Sequence, residues 1–151
     1  MTIHHDHPFA DSEDDPLRRF RGRLGGTVSL WTAGAGPDRV GLTVSSFMVA
    51  RGEPAHVLGL LDPQSDLAQT ALATGTAVVQ LLEWRHRDLA EAFAGLLPSP
   101  GGLFRTDQSQ TEWQLTEWGP LLTTASIWAA VRLRPNPQDV GWSILVDGVV
   151  E

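Results

Sequence analysis

The sequence contains no cysteine, no lysine and no tyrosine, and its one asparagine is Asn136. Without cysteine there is no disulfide, no thiolate metal site and no cysteine nucleophile. Without lysine, all 11 basic residues are arginines. We read this as coding bias, but it means that any bound anion is held by arginine, backbone amides or hydroxyls. Positive charge is also scarce, with a formal net charge of -7. That argues against a nucleic-acid binder or a protein of anionic membrane surfaces. The longest apolar runs, such as "VLGLL", are far too short to span a bilayer. The opening "MTIHHDHPFADSEDD" has neither a basic n-region nor an apolar core, so no secretory signal and a cytoplasmic location are expected. No Gly-x-Ser-x-Gly elbow, P-loop or Rossmann fingerprint is present, leaving hydrolase and kinase readings without support. His4, His5 and His7 surround Asp6. They lack a spaced partner downstream, so no metal site is expected.

What is present suits a folded domain. At 151 residues, 42% hydrophobic and 19% charged, the chain is long enough for one core. Residues 1–14 are polar and acidic and read as a disordered tail, leaving 15–151 as a single domain. Asp15 reads as a helix cap with Pro16 in the first turn, Leu17, Phe20 and Leu24 on one face, and Gly25-Gly26 at the end. "TVSLWTA" alternates as a strand, "GAGPD" is a turn, and Arg39–Ala50 reads as one strand. "AHVLGLL" is a further strand, and a short helix starts near Ser65. "TAVVQLLEW" is a strand, and "HRDLAEAFAG" is a helix with Leu89 and Phe93 on one face. Residues 95–112 form a Pro/Gly-rich loop, and "PLLTTASIWAAVRL", "RPNPQD" and "VGWSILVDGVV" make a long hairpin. Strands outnumber helices without regular alternation. The expected fold is therefore mainly β (α+β), an antiparallel barrel with a few packed helices, not a doubly wound sheet.

The stretch "RVGLTVSSFMVARGEP" carries Thr43, Ser45 and Ser46 within an otherwise apolar strand. A buried hydroxyl without a partner costs free energy, so either neighbouring protein groups or a ligand must satisfy these three. Ser65 poses the same alternative: it is a plain N-cap, or it opens a helix whose free amides and dipole attract a phosphate.

These motifs, in this order, resemble the flavin reductase-like family, whose fold is the FMN-binding split β-barrel. "GLTVSSF" matches the family's Gly-Leu-Thr-x-Ser-Ser-Phe, Glu53-Pro54 stands near its Asp-Pro-Pro, and "RDLAEAFAG" follows its Asp-Leu-Ala-x-x-Phe-Ala-Gly. The likeness runs from about Phe20 to Val150. Carried over by position, it implies that Thr43, Val44, Ser45 and Ser46 lie along the isoalloxazine or ribityl chain. It places Asp62 and Ser65 at the phosphate and Gln80 in the slot of the family's Asn. Arg51 stands where the family tends to have a small residue: it either faces the flavin's pyrimidine edge, where it would stabilise the anion formed on reduction, or is a solvated surface arginine. It further implies NAD(P)H as co-substrate, a homodimer with flavin sites between subunits, and a partner monooxygenase as a possible recipient of reduced flavin. FMN is expected to bind better than FAD, because the Ser65 turn offers one helix N-terminus for one phosphate and no Gly-rich loop suits a pyrophosphate.

The sequence departs from that pattern at three places. Asp62 replaces a neutral Asn, Leu67 replaces a hydroxyl, and Gly141-Trp142-Ser143 stands where the family has Gly-Asp-His. Trp142 reads as a packed barrel side chain, with stacking beside the flavin as the alternative. Arg85 and Arg87 read as helix-surface residues. The leading reading is hydride transfer from NAD(P)H to flavin. The alternatives are a flavin-binding protein without efficient NAD(P)H turnover, and an interaction protein that has lost the cofactor.

Overall fold

The computed structural model describes residues 15–98, 102–104 and 112–151. The expected tail lies outside these, as does much of the expected loop. Helix α1, Pro16–Leu24, starts where the Asp15 carboxylate accepts from the amides of Leu17 and Arg18 at 3.0 and 3.2 Å. It leads into β1, Ser29–Ala33, β2, Val40–Val44, β3, Phe47–Ala50, and β4, His56–Leu61. Helix α2, Asp66–Thr74, is capped by Ser65 and stopped by Gly75, whose φ of +77° suits a residue without a Cβ. Strand β5, Thr76–Leu81, and helix α3, Arg87–Phe93, follow. The chain ends in β6, Trp113–Leu115, β7, Pro120–Leu122, β8, Trp128–Leu133, β9, Gln138–Val140, and β10, Ser143–Val150. None of the described helices is long and apolar enough to cross a membrane.

The main sheet is antiparallel, in the order β2-β1-β5-β8-β10-β4-β3, with β9 added beside β10; β6 and β7 form a separate ribbon. Its two outermost strands, β2 and β3, are consecutive in the chain and joined only by Ser45 and Ser46. Three Cα steps reach at most ~11 Å, so the sheet must curl until its edges nearly meet. The result is a split barrel.

Here the structure departs from the sequence-based expectation. Arg39–Ala50 is not one strand but two, paired to opposite ends of the sheet: Leu30 with Thr43, and Met48 with Leu58. The serines bring no apolar side chain to bury at the crossing, so the chain can leave one pairing and enter the other. The expected strand at 120–133 is likewise broken, with β7 joining the ribbon and β8 the barrel. The strand at 76–84 stops at Leu81 and gives way to a 3-10 turn at Trp84–His86.

Trp31 fills the barrel interior together with Val44, Val57, Leu61, Ala77, Val79 and Val146. Its indole N–H donates to the Ser29 hydroxyl at 3.0 Å, which donates on to the Val44 carbonyl at 2.7 Å. A second core of Leu30, Leu82, Phe93 and Leu122 lies outside the sheet, packed by Phe104 and Trp113. Strand β1 is thus buried on both faces, whereas β10 alternates. His86 is buried at the start of α3. Its Nδ1 accepts the Glu83 amide at 3.0 Å, and its Nε2 lies 3.0 Å from the Thr124 hydroxyl. Burial, reinforced by the Arg85 charge, holds the His86 imidazole below its ordinary pKa. The Ser126 hydroxyl, with Arg85, holds the Glu83 carboxyl below its own.

Two predictions follow from this packing. A Cβ built on Gly59 would lie 2.7 Å from the Trp31 ring. Gly59→Ala should therefore cost about 1–3 kcal/mol by overpacking, read as a lower urea midpoint with the slope unchanged. A histidine with a lowered folded pKa stabilises the fold above its unfolded value of about 6.5. That contribution is lost as pH falls through the folded pKa, because protonating Nδ1 breaks the bond to Glu83. His86→Gln should flatten the decline of the urea midpoint between pH 7 and 5; an unchanged slope would place the acid sensitivity elsewhere.

Candidate functional site

The curl leaves a cavity of about 950 Å3 on the outer side of the split, bounded by α1, the Ser45–Ser46 crossing and the β3-β4-β10 face. That volume lies at the upper end of the range of roughly 300–1,000 Å3 usual for small-molecule sites. Its sheet wall is apolar because alternation turns Met48, Leu58, Leu60 and Leu145 to the same face. The register pairs Met48 with Leu58 and Leu60 with Leu145, so these side chains lie side by side. Opposite them, α1 contributes Arg18 and Arg21, one helical turn apart, and Gly22.

At the cavity's edge the Ser46 carbonyl accepts the Leu60 amide at 2.9 Å, which ties the crossing to β4. Neither the Ser45 nor the Ser46 hydroxyl bonds a described protein group, and both residues line the cavity. The wall thus offers an apolar plane, two hydroxyls along one edge and two cations. That combination suits a flat ligand with a polar rim and an anionic end.

The remaining residues singled out from sequence fall elsewhere. The Thr43 hydroxyl turns to α3, donating to the Ala90 carbonyl at 2.6 Å. Val44 is buried in the barrel core. Arg51 is exposed just beyond β3 and outside the cavity wall. Asp62 and Ser65 form the turn that follows β4, where Ser65 Oγ donates to the Asp62 carbonyl at 2.7 Å and accepts the Ala68 amide at 3.2 Å. The Asp62 carboxylate accepts the Gln64 amide at 2.9 Å. Gln80 is fully buried on the far side of the sheet from the barrel core. It donates to Thr32 Oγ1 at 2.9 Å and accepts the Leu122 amide at 2.7 Å, pinning β7 to the barrel. The structure therefore brings Ser45 and Ser46 together at the cavity and leaves Thr43, Arg51, Asp62, Ser65 and Gln80 off its wall.

Trp142 does not pack into the barrel as expected; it is 81% exposed on the turn between β9 and β10. Gly141, with φ of +58°, makes that turn. Ser143 opens β10 on the same sheet face as Leu145 but does not itself line the cavity. Further along that outer face, His56 Nδ1 meets Asp147 at 2.6 Å, with Arg134 at 3.7 Å from the same carboxylate. Arg85 pairs with Glu83 and donates to the Thr124 carbonyl, and Arg87 stacks over Trp84. Arg18 and Arg21 were assigned no role from sequence. Their signal was the run "RRFRGR" on a helix with glycine between and beyond the charges.

A family model described as "Flavin reductase like domain" matches residues 21–151. Among solved structures, the NADH:FAD oxidoreductase SgcE6 of Streptomyces globisporus is 26% identical, with a TM-score of 0.75 over 93% of this chain and 82% of that one. BorF, the flavin reductase component of a bacterial two-component tryptophan halogenase, is 21% identical, with a TM-score of 0.70 over 89% of this chain and 84% of its own. Nitrilotriacetate monooxygenase component B from Mycobacterium thermoresistibile is 20% identical, with a TM-score of 0.69 over 89% of this chain and 73% of its own. No curated relative matches the sequence at a significant level.

Proposed function

The chain belongs to the flavin reductase-like domain family, and on that premise we propose that it binds FMN in the cavity beside Ser45 and Ser46 and accepts hydride from NAD(P)H onto it. One observation carries the reading: two hydroxyls without a partner among the described residues border an apolar wall in a cavity of ligand size. A bound flavin supplies the hydride-accepting chemistry, and the protein supplies orientation and electrostatics. Met48, Leu58, Leu60 and Leu145 would exclude water from one ring face. Ser45 and Ser46, each able to donate and accept, would meet the polar rim. FMN is favoured over FAD because the sequence has no Gly-rich loop to cradle a diphosphate. Reduced flavin would pass to a partner monooxygenase, in keeping with the component roles of the two structural neighbours from multi-component systems. A cytoplasmic site of action fits the supply of NAD(P)H.

A homodimer completes the reading. Phe20, Leu24, Met48 and Val49 are between 62% and 70% exposed in the single chain. A second copy covering α1 and the β3 edge would bury them and roof the cavity. Sedimentation at micromolar concentration with FMN present should show a dimer, and a monomer would count decisively against it.

A second reading has its own observation. Ser143, on the sheet face that carries Leu145, stands where the family's pattern has an imidazole, and Trp142 beside it is exposed. Serine donates one hydrogen bond but cannot carry charge or reach as far as imidazole. On this reading flavin binds while NAD(P)H turnover is slow. Flavin fluorescence titration should show binding that weakens in Ser45→Ala/Ser46→Ala. Steady-state flavin reduction then separates the readings. Wild-type rates on the order of 1–10³ per second support the plain reductase. Slow turnover rescued by Ser143→His supports the second.

A further inference from the structure

We propose that His86 is a proton-sensitive latch on the cavity's rim. Neutral, it holds α3 and the 123–126 segment closed against the barrel. Protonated, it frees both and, through the bond between Thr43 and Ala90, slackens the Ser45–Ser46 crossing while the rest of the sheet stays folded. The device needs no bound ligand. The ring is 2% exposed and bonded at both nitrogens. Because Nδ1 accepts the Glu83 amide it carries no proton, so the proton is on Nε2, which donates to the Thr124 hydroxyl. One imidazole thus joins the 3-10 turn and the start of α3 to the segment between β7 and β8. Two further ties reach the same segment. The Arg85 guanidinium donates to the Thr124 carbonyl at 2.7 Å, and the Glu83 carboxylate accepts the Ser126 hydroxyl at 2.8 Å.

A proton on Nδ1 removes the acceptor and turns N–H against N–H at the Glu83 amide, and it creates a cation away from water. Arg85 opposes that charge and Glu83 favours it. Among the described residues, the other elements around the ring add little charge. The 123–126 segment carries no ionisable side chain, Arg87 of α3 lies over the Trp84 ring, and Asp88, Glu91 and Glu112 are exposed. Burial is the largest effect on His86, so the imidazole ionises more readily once it has left its site. Glu83, held below its ordinary value of 4.5 chiefly by the Ser126 hydroxyl, stays ionised at higher pH and does not share the titration.

Helix α3 bears directly on the strand that ends at the crossing. The Ala90 carbonyl accepts the Thr43 hydroxyl at 2.6 Å, and a Cβ built on Gly41 would fall 2.5 Å from the Phe93 ring. Strand β2 ends the sheet and is bonded along one side only, to β1, so α3 supplies part of its support. If α3 lifts, Thr43 loses its acceptor just before the crossing begins. On the far side the Ser46 carbonyl holds the Leu60 amide at 2.9 Å, and that bond reports how firmly the crossing is seated.

Amide hydrogen exchange on the full chain, corrected for the intrinsic rate at each pH, tests the latch between about pH 7.5 and 5.5. The amides of Ala94 and Ala125 donate to the Ala90 and Leu122 carbonyls. They should open more often than amides of β5 and β8, and with weak urea dependence, because little surface is exposed. Their protection should fall by about tenfold per pH unit below about 6.5, the slope for one proton taken up on opening. The Leu60 amide should show the same slope and the same weak urea dependence. His86→Gln keeps an acceptor and a donor but does not titrate, and should remove the slope at Ala94 and Ala125. Thr43→Val should leave that slope in place and return Leu60 to the urea dependence of β5 and β8. Urea dependence at Ala94 and Ala125 equal to that of the sheet makes the opening global and overturns the latch. So does a slope that survives in His86→Gln. A Leu60 amide that opens only with β5 and β8 in wild type, or that ignores Thr43→Val, overturns it equally.

Discussion

The two-residue crossing at Ser45–Ser46 is the constraint on which the rest of the molecule depends. It joins strands at opposite ends of a seven-strand path, and so short a tether lets those ends separate by no more than ~11 Å. The sheet has to curl, and the curl encloses Trp31 as the interior packing element. The contact between Trp31 and Gly59 follows, because a curled sheet brings β1 and β4 face to face across the barrel. The same crossing leaves its hydroxyls at the rim, bordering the cavity. Closure of the fold and placement of the candidate site are thus one event.

Polar residues divide according to which side of the sheet they occupy. On the side away from the barrel core, Gln80, Thr32 and His86 are buried and bonded to protein groups, where they attach the β6-β7 ribbon and α3. An unbonded amide or imidazole there would be costly, so these side chains serve the fold. At the split, Ser45 and Ser46 escape that demand because the cavity is open to water or ligand. Side chains of similar chemistry therefore differ in role through their surroundings, and charge follows the same division. Among the described residues, the α1 arginines line a wall without acids, whereas Arg85 and Arg132 are neutralised by Glu83 and Glu151.

Much of the fold was legible from local signals. Asp15 and Ser65 cap helices through their own carboxylate or hydroxyl, Gly75 ends one in the left-handed region, and β10 alternates because only one of its faces is covered. Each depends on neighbours within a few residues, which is why sequence alone reveals it. The family motifs extended this to a split barrel, with Ser45–Ser46 at the point of interest. Pairing partners were less accessible. Arg39–Ala50 has the composition of one strand, and nothing local tells Val44 to pair with Ser29 while Phe47 pairs with Gly59.

The sequence by itself determined the helix ends, the two-residue periodicity, the barrel class and the absence of any lysine or cysteine chemistry. Tertiary structure alone decided which hydroxyls are occupied and which arginines share a wall. Thr43 and Ser45 belong to the same motif, but the curl turns the first to the Ala90 carbonyl and the second to the cavity. Arg18 and Ser46 lie 28 positions apart, counting 46 − 18, and face one space only because the barrel closes. The physical reason is that burial and hydrogen bonding depend on distances through space, which the chain acquires only when its non-local pairings form.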